Sequence, residues 1–319
     1  MIETIKKINL QLFAEMNTQT TGTASLSDEM KTFYSDYLID NAKPKLVHDQ
    51  FGQKHPIPKN GGKTIEFRKY SPLGKMMTPL TEGVTPDGQS LTVSVIEATV
   101  AQYGGYITLS DVLLLTAIDN NLVQATKLLG NQAGATLDTV TREVLNGGTN
   151  VIYAGGVASR SALADNLTVQ DIKKAARALK TQNAEKIGDS FVAIIHPDVS
   201  FDLTNDPKWE AVKTYDPEDW YEGEIGRIAG VRFVETTEAK IFEGGVYSTL
   251  VLAENAYGVT DVEGGGLQHI VKQLGSAGTA DPLNQRATVG WKAIKTAERL
   301  VEQFMVRIES KCTFAGETN

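Results

Sequence analysis

The feature that most constrains the fold of this chain is a pair of strand patterns separated by a long stretch that has none. In residues 64–70, apolar and charged side chains alternate with the period of two that predicts a strand with one buried face. Strand character returns at 91–109, whereas residues 71–90 contain three prolines and three glycines. An unpatterned connection of about 20 residues is unusual inside a compact domain and is more often functional than not. Because a two-stranded ribbon is marginally stable alone, the sequence predicts that this one lies on another surface.

The longest helix pattern follows this ribbon. From Asp119 to about Leu145, apolar side chains recur at intervals of three and four, and Gly147 and Gly148 then provide a C-terminal stop signal. At 1.5 Å per residue, such a helix is about 35–40 Å long, which is enough to run through a whole domain. The predicted apolar stripe consists of Leu122, Ala125, Leu129, Ala133, Thr136, Val140 and Val144.

The remainder of the chain predicts a mixed α+β fold without internal repeats. Residues 1–30 are polar and predict an arm that cannot nucleate a core, followed by a short amphipathic helix from Asp28. In the second half, helix and strand patterns alternate. Helices are predicted from Thr168, which forms a capping-box pattern with Asp171, and from Pro197; strands are predicted at 191–196, 230–236, 248–253, 286–295 and 304–310.

Composition excludes several classes of protein. The 31 Lys and Arg residues against 39 Asp and Glu residues give a net charge of −8, which argues against a protein whose main task is to grip nucleic acid. The single cysteine, Cys312, excludes an intramolecular disulfide framework and a cysteine-rich zinc module. No run approaches the roughly 18 apolar residues of a membrane helix, so we expect a soluble intracellular product without a membrane partner.

No catalytic constellation can be named, and we expect no enzyme activity, no cofactor and no metal. The segment GGKT at 61–64 lacks the preceding glycine of a phosphate-binding loop, and a hairpin turn is the better interpretation. The four histidines are scattered, and His196, which follows a predicted buried strand, is interpreted as structural. The acidic stretch 202–224 lacks the ligand spacing of a calcium loop.

Two segments carry opposite charge. Residues 54–75 contain six Lys or Arg residues and only Glu66 as an acid, whereas residues 202–224 contain eight acids and two lysines. Trp209 and Trp220 suggest that the acidic segment has a defined shape. Opposite charges on one chain favour head-to-tail association between copies, although two unrelated solvated surfaces would explain the same pattern.

The order of arm, ribbon, long helix, α/β region and returning strands resembles the major capsid protein of tailed phages, which has the Hong Kong 97-type shell fold. The resemblance spans about residues 30–310. It is carried by LQLFA at 10–14, PLTEGVTP at 79–86, QYGGYITLSD at 102–111, NGGTNVIYA at 146–154, DPLNQRATVGWK at 281–292 and MVRIE at 305–309.

This resemblance implies an α+β capsid fold with an N-terminal arm, an extended loop built as a two-stranded ribbon, a peripheral domain with a long spine helix, and an axial domain. The ribbon would lie over a neighbouring subunit, and the acidic loop would point to the five-fold and six-fold axes. The implied divisions are 1–51 for the arm, 52–110 for the extended loop and flanking strands, 111–159 for the peripheral domain with its spine helix, 160–265 for the axial domain, and 266–319 for the closing strands of the peripheral domain and the C-terminus.

The implied function is structural. Copies of the chain would assemble into pentamers and hexamers of an icosahedral shell around a double-stranded DNA phage genome, without sequence-specific DNA binding. Scaffolding, portal and possibly decoration proteins are the further implied partners. The protein would be made in the host bacterial cytoplasm and would end in the virion capsid.

Two alternatives remain open at this stage. One is a nanocompartment shell protein of the same fold, and the other is an α/β enzyme or binding protein with an unrecognised site. Some members of the fold crosslink a loop lysine to a neighbour's asparagine, but no matching asparagine or assisting acid can be assigned here. The residues that we expect at subunit interfaces are Lys63, Arg68, Lys69, Lys75, Met76, Met77 and Glu82 in the ribbon, and Asp216, Glu218, Asp219 and Trp220 in the acidic loop.

Overall fold

The computed structural model describes residues 38, 42, 46–55, 63–70, 73–85, 87–116, 121–209, 226–260, 266–276 and 281–314. Within them the chain is α+β, as the sequence predicts. The helices are α1 (Asp111–Thr116), α2 (Asn121–Asn146), α3 (Val169–Thr181) and α4 (Pro197–Thr204). The strands are β1 (Gln53–His55), β2 (Thr64–Tyr70), β3 (Val93–Thr99), β4 (Ala101–Ser110), β5 (Val151–Tyr153), β6 (Phe191–Ile195), β7 (Arg227–Ile228), β8 (Val231–Glu235), β9 (Ile241–Phe242), β10 (Val246–Leu252), β11 (Tyr257–Thr260), β12 (Leu267–Lys272), β13 (Arg286–Lys295), β14 (Ala297–Arg299) and β15 (Met305–Ser310).

The predicted ribbon is present as a separate antiparallel pair of β2 and β3, in register from Thr64↔Thr99 to Tyr70↔Val93. The second strand pattern, predicted as one stretch at 91–109, divides into two strands in different sheets. The division falls at Val100, whose N–H donates to the Lys63 carbonyl at 2.8 Å. The inward-facing positions are Ile96 and Ala98 in β3 but Tyr103, Ile107 and Leu109 in β4, so the period of two changes phase at the division.

The helix α2 confirms the predicted long helix and ends where Gly147 and Gly148 follow it; the Gly147 N–H donates to the Glu143 carbonyl at 3.1 Å. Its buried face differs from the predicted stripe near the C-terminal end, because Leu137 and Leu145 are fully buried while Val140 is only half-buried. The reason is that different parts of the helix pack against different sheets. The first half of the helix packs with the β12-β13-β4 sheet, whereas Leu145 packs with β10, β11 and β14.

A seven-stranded sheet holds the second half of the chain together, with the order β5-β15-β10-β6-β8-β7 and β9 paired to β10. The strands β6 and β10 are buried throughout, and α3 and α4 cover one side of them. The two closing strands belong to different sheets: β13 pairs with β12 and β4, while β15 lies between β5 and β10. The assignment of both closing strands to the peripheral domain stays a prediction.

A further three-stranded sheet has the order β1-β11-β14, and its residues Tyr257, Val259 and Ala297 pack with Leu250 and Leu252 of the seven-stranded sheet. The strand β1 pairs with β11 and β2 pairs with β3, so the segment between β1 and β2 does not connect two strands that pair with each other; the hairpin turn expected at 61–64 stays a prediction. Gly61 and Gly62 themselves lie outside the described residues.

Local signals at the helix starts are only partly as predicted. Thr168 does precede α3, but its hydroxyl donates to the Asp171 carboxylate at 2.7 Å and makes no cap bond to the backbone. The Val169 N–H instead donates to the Asp206 carboxylate at 3.0 Å, which is a cap supplied from 37 residues away. Of the predicted helix from Asp28, only Leu38 is described, and it is helical and buried.

Candidate subunit-contact surfaces

The ribbon exposes an apolar surface along its outer face and its tip. The inner face is buried, but Tyr70, Val93 and Val95 on the outer face are 42–59% exposed. In the connection between the strands, Leu73, Met76, Met77, Leu80, Val84 and Leu91 are 60–82% exposed. Exposed apolar side chains in this number are typical of an interaction site, because water contact with them is unfavourable.

A small buried cluster anchors the inner face of the ribbon to the rest of the molecule. Phe67 is fully buried and packs with Ile65, Ala98 and Leu300, and His55 contacts its ring edge-on at a centroid distance of 4.8 Å. Gly258 leaves room for the phenyl ring, since a Cβ there would lie 2.2 Å from the Phe67 Cε1 atom. The base of the ribbon is therefore fixed, while its tip projects from the molecule.

The residues predicted at subunit interfaces fall into two groups. The ribbon residues are described: Lys63, Arg68, Lys75, Met76, Met77 and Glu82 are exposed, and Lys69 is half-buried. Those of the acidic loop, Asp216, Glu218, Asp219 and Trp220, lie outside the described residues. Trp209, which precedes that loop, is buried and packs against Phe233 at a centroid distance of 5.5 Å, so it is a core residue and not an interface tryptophan.

The ribbon is not basic as a whole, in contrast to the charge count of residues 54–75. Its second arm supplies Asp87 and Glu97 in addition to the tip residue Glu82, and Lys54 belongs to another sheet. Glu66 and Glu97 are exposed and lie directly opposite each other in the β2–β3 ladder. Like charges in this position are destabilising.

The short helix α1 is a second exposed apolar surface, which the sequence did not predict. The Ser110 hydroxyl accepts a hydrogen bond from the Leu113 N–H at 3.2 Å and caps the helix start. Val112 and Leu115 are 62% and 83% exposed, and the two leucines between them are 42% and 36% exposed.

A groove that was also missed lies beside β9 and β10, with a volume of about 760 Å³. At its wall, the Arg160 guanidinium stacks on the Phe242 ring, 3.7 Å from the centroid, and donates two hydrogen bonds of 2.6 and 2.7 Å to Glu309. The hydrogen bonds to Glu309 raise the pKa of Arg160. The groove is lined by Arg160, Ser161, Leu163, Lys240, Ile241, Phe242, Glu243, Gly244, Val246 and Lys311.

The charged groups around this groove form three separate sets of hydrogen bonds. Glu309 is fully buried and also accepts from the Arg307 Nε atom at 2.9 Å, so one carboxylate serves two guanidinium groups. Burial lowers the pKa of Arg307, although Glu309 opposes this effect. Lys240 donates to the Glu143 carboxylate at 2.6 Å, and the Lys311 ammonium donates to the Gly244 carbonyl. The signal for this site is distributed over residues far apart in sequence, which is why no local motif revealed it.

The described residues contain no group of three or more His, Cys, Asp or Glu side chains that could hold a metal ion. His48 is buried and its Nδ1 atom lies 2.7 Å from the Asp138 carboxylate. His196 is structural, as interpreted from the sequence: its Nδ1 atom accepts from the Asp198 N–H at 3.2 Å where α4 begins. A search of the described helices finds none that is long and apolar enough to cross a membrane.

Comparison with protein families decides the identity of the fold. The family described as phage capsid protein matches residues 94–297, which is more than half of the chain. The chain belongs to the phage capsid protein family. The match includes nearly all of β3, the long helix and β13, and three of the six segments that carry the resemblance, those at 102–111, 146–154 and 281–292.

Solved structures show the same fold at low sequence identity. The capsid of cyanophage Pam1 superposes with a TM-score of 0.65 at 15% identity, covering 87% of this chain and 93% of that chain. The capsid of cyanophage P-SCSP1u gives 0.64 at 14% identity, covering 84% and 89%. The virus-like particle from Pyrococcus furiosus gives 0.52 at 12% identity, covering 88% and 99%. The capsid protein described here therefore has the Hong Kong 97-type fold, as predicted.

No curated protein sequence matches this capsid protein. Its family and fold are those of structural proteins of bacteriophage capsids, which agrees with the sequence-based prediction of a non-enzymatic role. The long helix α2 is then the predicted spine helix, and the β2–β3 ribbon is the predicted extended loop.

Proposed function

We propose that this capsid protein assembles with copies of itself into pentamers and hexamers of a closed icosahedral shell that encloses double-stranded DNA. The observation that carries the proposal is the ribbon, because its exposed apolar residues find no cover within the described part of the chain. Burial of apolar surface is worth roughly 25 cal/mol per Å², so covering this surface by a neighbouring copy favours association. Repetition of modest contacts around closed symmetry then produces a stable shell.

The assembly needs parts with different mobility. The spine helix packs on the seven-stranded sheet through Leu145, which contacts a buried cluster containing Ile194 and Leu250, and this core can keep its shape in every copy. The ribbon is anchored at its base only, so its exposed tip can adjust to pentamers and hexamers. In this proposal the adjustable part is the ribbon at 52–110. The rigid part consists of the peripheral domain at 111–159 and the axial domain at 160–265. The acidic loop of the axial domain, including Asp216, Glu218, Asp219 and Trp220, belongs in this proposal to contacts around the symmetry axes.

The content of the shell follows from the charge and the family. A chain with a net charge of −8 can confine DNA without binding its phosphates tightly, which allows the genome to enter and leave. Scaffolding, portal and decoration proteins are the further partners that we propose. Synthesis in the bacterial cytoplasm and a final location in the virion follow from the same role.

A second candidate is a nanocompartment shell, which would enclose protein cargo instead of a genome. It is favoured by one observation, the shared fold with the virus-like particle from Pyrococcus furiosus, whose chain is covered almost completely. The higher TM-scores of the two cyanophage capsids favour the phage shell.

The first experiment is light scattering and negative-stain microscopy of the protein expressed alone and with candidate scaffolding proteins. We expect closed shells or discrete pentamers and hexamers, and DNA as the content of shells isolated from infected cells. The double variant Met76→Ser/Met77→Ser should lose assembly at an unchanged melting temperature, whereas Leu274→Ser, at another exposed apolar position, should assemble normally. A wild-type protein that stays monomeric under all these conditions would contradict the proposal, and protein cargo without DNA would favour the nanocompartment.

A further inference from the structure

The groove beside β9 and β10 carries one positive charge in excess. The cationic groups in or next to it are Arg142, Arg160, Lys240, Arg307 and Lys311, and the anionic groups are Glu143, Glu238, Glu243 and Glu309. Glu309 is occupied by its two guanidinium groups, and Glu143 is occupied by Lys240 and Arg142. Lys311 is half-buried and bonds only a backbone carbonyl among the described residues. One further carboxylate would neutralise this site.

The groove also has an apolar side. Leu163 and Val246 are buried in its floor, Phe242 is half-buried, and Ile241 at the rim is 45% exposed. Glu243 is exposed on the same rim. A ligand that fits this surface therefore combines one negative charge with aliphatic groups on both sides, and it approaches from the direction of Ile241, where apolar surface is still in contact with water.

The tip of the ribbon presents such a combination. Residues 81–84 form a tight turn in which the Val84 N–H donates to the Thr81 carbonyl at 3.1 Å, and Gly83 supplies the required positive φ of 79°. The turn displays the Glu82 carboxylate at its apex. Leu80 on one side and Val84 on the other are 75% and 62% exposed. Glu82 itself is exposed and makes no ion pair with any described residue.

We propose that the ribbon tip of one copy docks in this groove of a second copy, with the Glu82 carboxylate reaching Lys311 and the free edge of the Arg160 guanidinium. Leu80 and Val84 cover Ile241 and Phe242 in the same contact. The inference rests on the proposed function, since it names the surface that the ribbon of a neighbouring capsid protein covers. Complementary charge and complementary apolar surface support a second copy as the occupant.

The contact is heterologous, because the tip and the groove are different surfaces of the same chain. Each copy therefore offers one tip and one groove, and a rotation that brings them together generates a ring or an extended array rather than a two-fold dimer. The desolvated carboxylate sets the register of the contact, and the aliphatic groups contribute most of its apolar burial.

Cysteine pairs test the geometry directly. Ser161 is an exposed groove residue, so the variant Glu82→Cys/Ser161→Cys should form disulfides between copies in assembled particles and give a ladder of multimers on non-reducing gels. The matched control is Asp87→Cys/Ser161→Cys, in which the tip cysteine lies beyond the turn and should give no ladder. Cys312 is buried and remains in both variants.

Charge reversal provides a second readout. We expect Glu82→Lys to raise the protein concentration needed for assembly at least about tenfold, and Glu82→Lys/Lys311→Glu to recover most of the loss. Asp87→Lys should assemble as the wild type does. Two results together would overturn this docking site and leave the proposal of shell assembly intact. The variant Glu82→Cys/Ser161→Cys would form normal particles without disulfide-linked multimers, and Glu82→Lys would assemble at the same concentration as the wild type. Failure of the wild type to assemble under any condition would overturn both proposals.

Discussion

The ammonium group of Lys295 and the carboxylate of Asp49 form an ion pair that is almost completely withdrawn from solvent, between the end of β13 and the segment before β1. The other carboxylate oxygen of Asp49 accepts from the Thr141 hydroxyl on α2 at 2.5 Å. The preceding residue, His48, bonds Asp138 through its backbone N–H and its ring, both at 2.7 Å. His48 and Asp49 thus connect the segment that precedes the ribbon to the spine helix, and Asp49 also connects it to the closing strand β13.

Removing one member of this ion pair should destabilise the protein strongly. We expect Lys295→Met to lower the free energy of unfolding by about 3–5 kcal/mol, because it leaves the Asp49 carboxylate buried without its cation. Denaturant unfolding followed by circular dichroism measures the change. The double variant Lys295→Met/Asp49→Leu should lose less, since neither charge remains; a loss equal to or greater than that of Lys295→Met alone would show that the bond between Asp49 and Thr141 matters more than the ion pair.

The base of the ribbon should detach when its anchor is removed. Phe67→Ala deletes the fully buried ring between Ile65, Ala98 and Leu300, a change that costs about 3–5 kcal/mol in well-packed sites. We expect amide hydrogens of β2 and β3 to exchange faster while those of the seven-stranded sheet keep their protection. The control is Val95→Ala on the exposed outer face, which should change neither. Unchanged exchange in Phe67→Ala would show that the ladder itself holds the ribbon in place.

The contrast between these two sites shows what the sequence could predict. Phe67 lies in a period-two pattern, so its burial and the strand around it follow from residues within a few positions. The same holds for the long helix, whose end at Gly147 follows from the local stop signal. In contrast, the partners of Asp49 lie 92 and 246 residues away, and no local pattern specifies such pairs.

The candidate contact surfaces divide in the same way. The ribbon tip was predicted because a long unpatterned segment stands out in the sequence itself. The groove was not, because Arg160, Phe242 and Lys311 come from a short 3-10 helix, a two-residue strand and the residue after β15. Its formation requires the pairing of β15 with β10 inside the large sheet, and no local pattern specifies such a pairing.

Glu302 should make the connection after the spine helix sensitive to acid. Burial opposes ionisation of this carboxylate, but hydrogen bonds from the Thr149 and Asn150 N–H groups and the charge of Arg299 outweigh it and lower its pKa. A lowered pKa in the folded state means that the stabilisation is complete above the unfolded pKa of about 4.5 and is lost as the pH falls through the folded value.

We therefore expect Glu302→Gln to be less stable than the wild type by about 1 kcal/mol at pH 7, and the difference to shrink below about pH 4.5. Thermal unfolding measured between pH 3 and pH 7 checks this. The variant Glu254→Gln removes a charge from an exposed position and serves as the control, which should show no such trend. A difference between Glu302→Gln and the wild type that is independent of pH would indicate a packing effect.

The only thiol of the chain, Cys312, should be unreactive in the folded protein. Burial, with a further contribution from the nearby Asp202 carboxylate, raises its pKa to about 12. At pH 8 the reactive thiolate is then about a thousandfold rarer than for an unperturbed thiol, and the buried sulfur is also shielded from reagents. We expect Cys312 to react with a disulfide reagent at least about a hundredfold more slowly in the folded state than in denaturant, whereas the added cysteine of Ser161→Cys should react rapidly. Rapid labelling of Cys312 at pH 8 would show that the segment after β15 detaches from the core, with loss of the hydrogen bonds between Thr313 and Asp202.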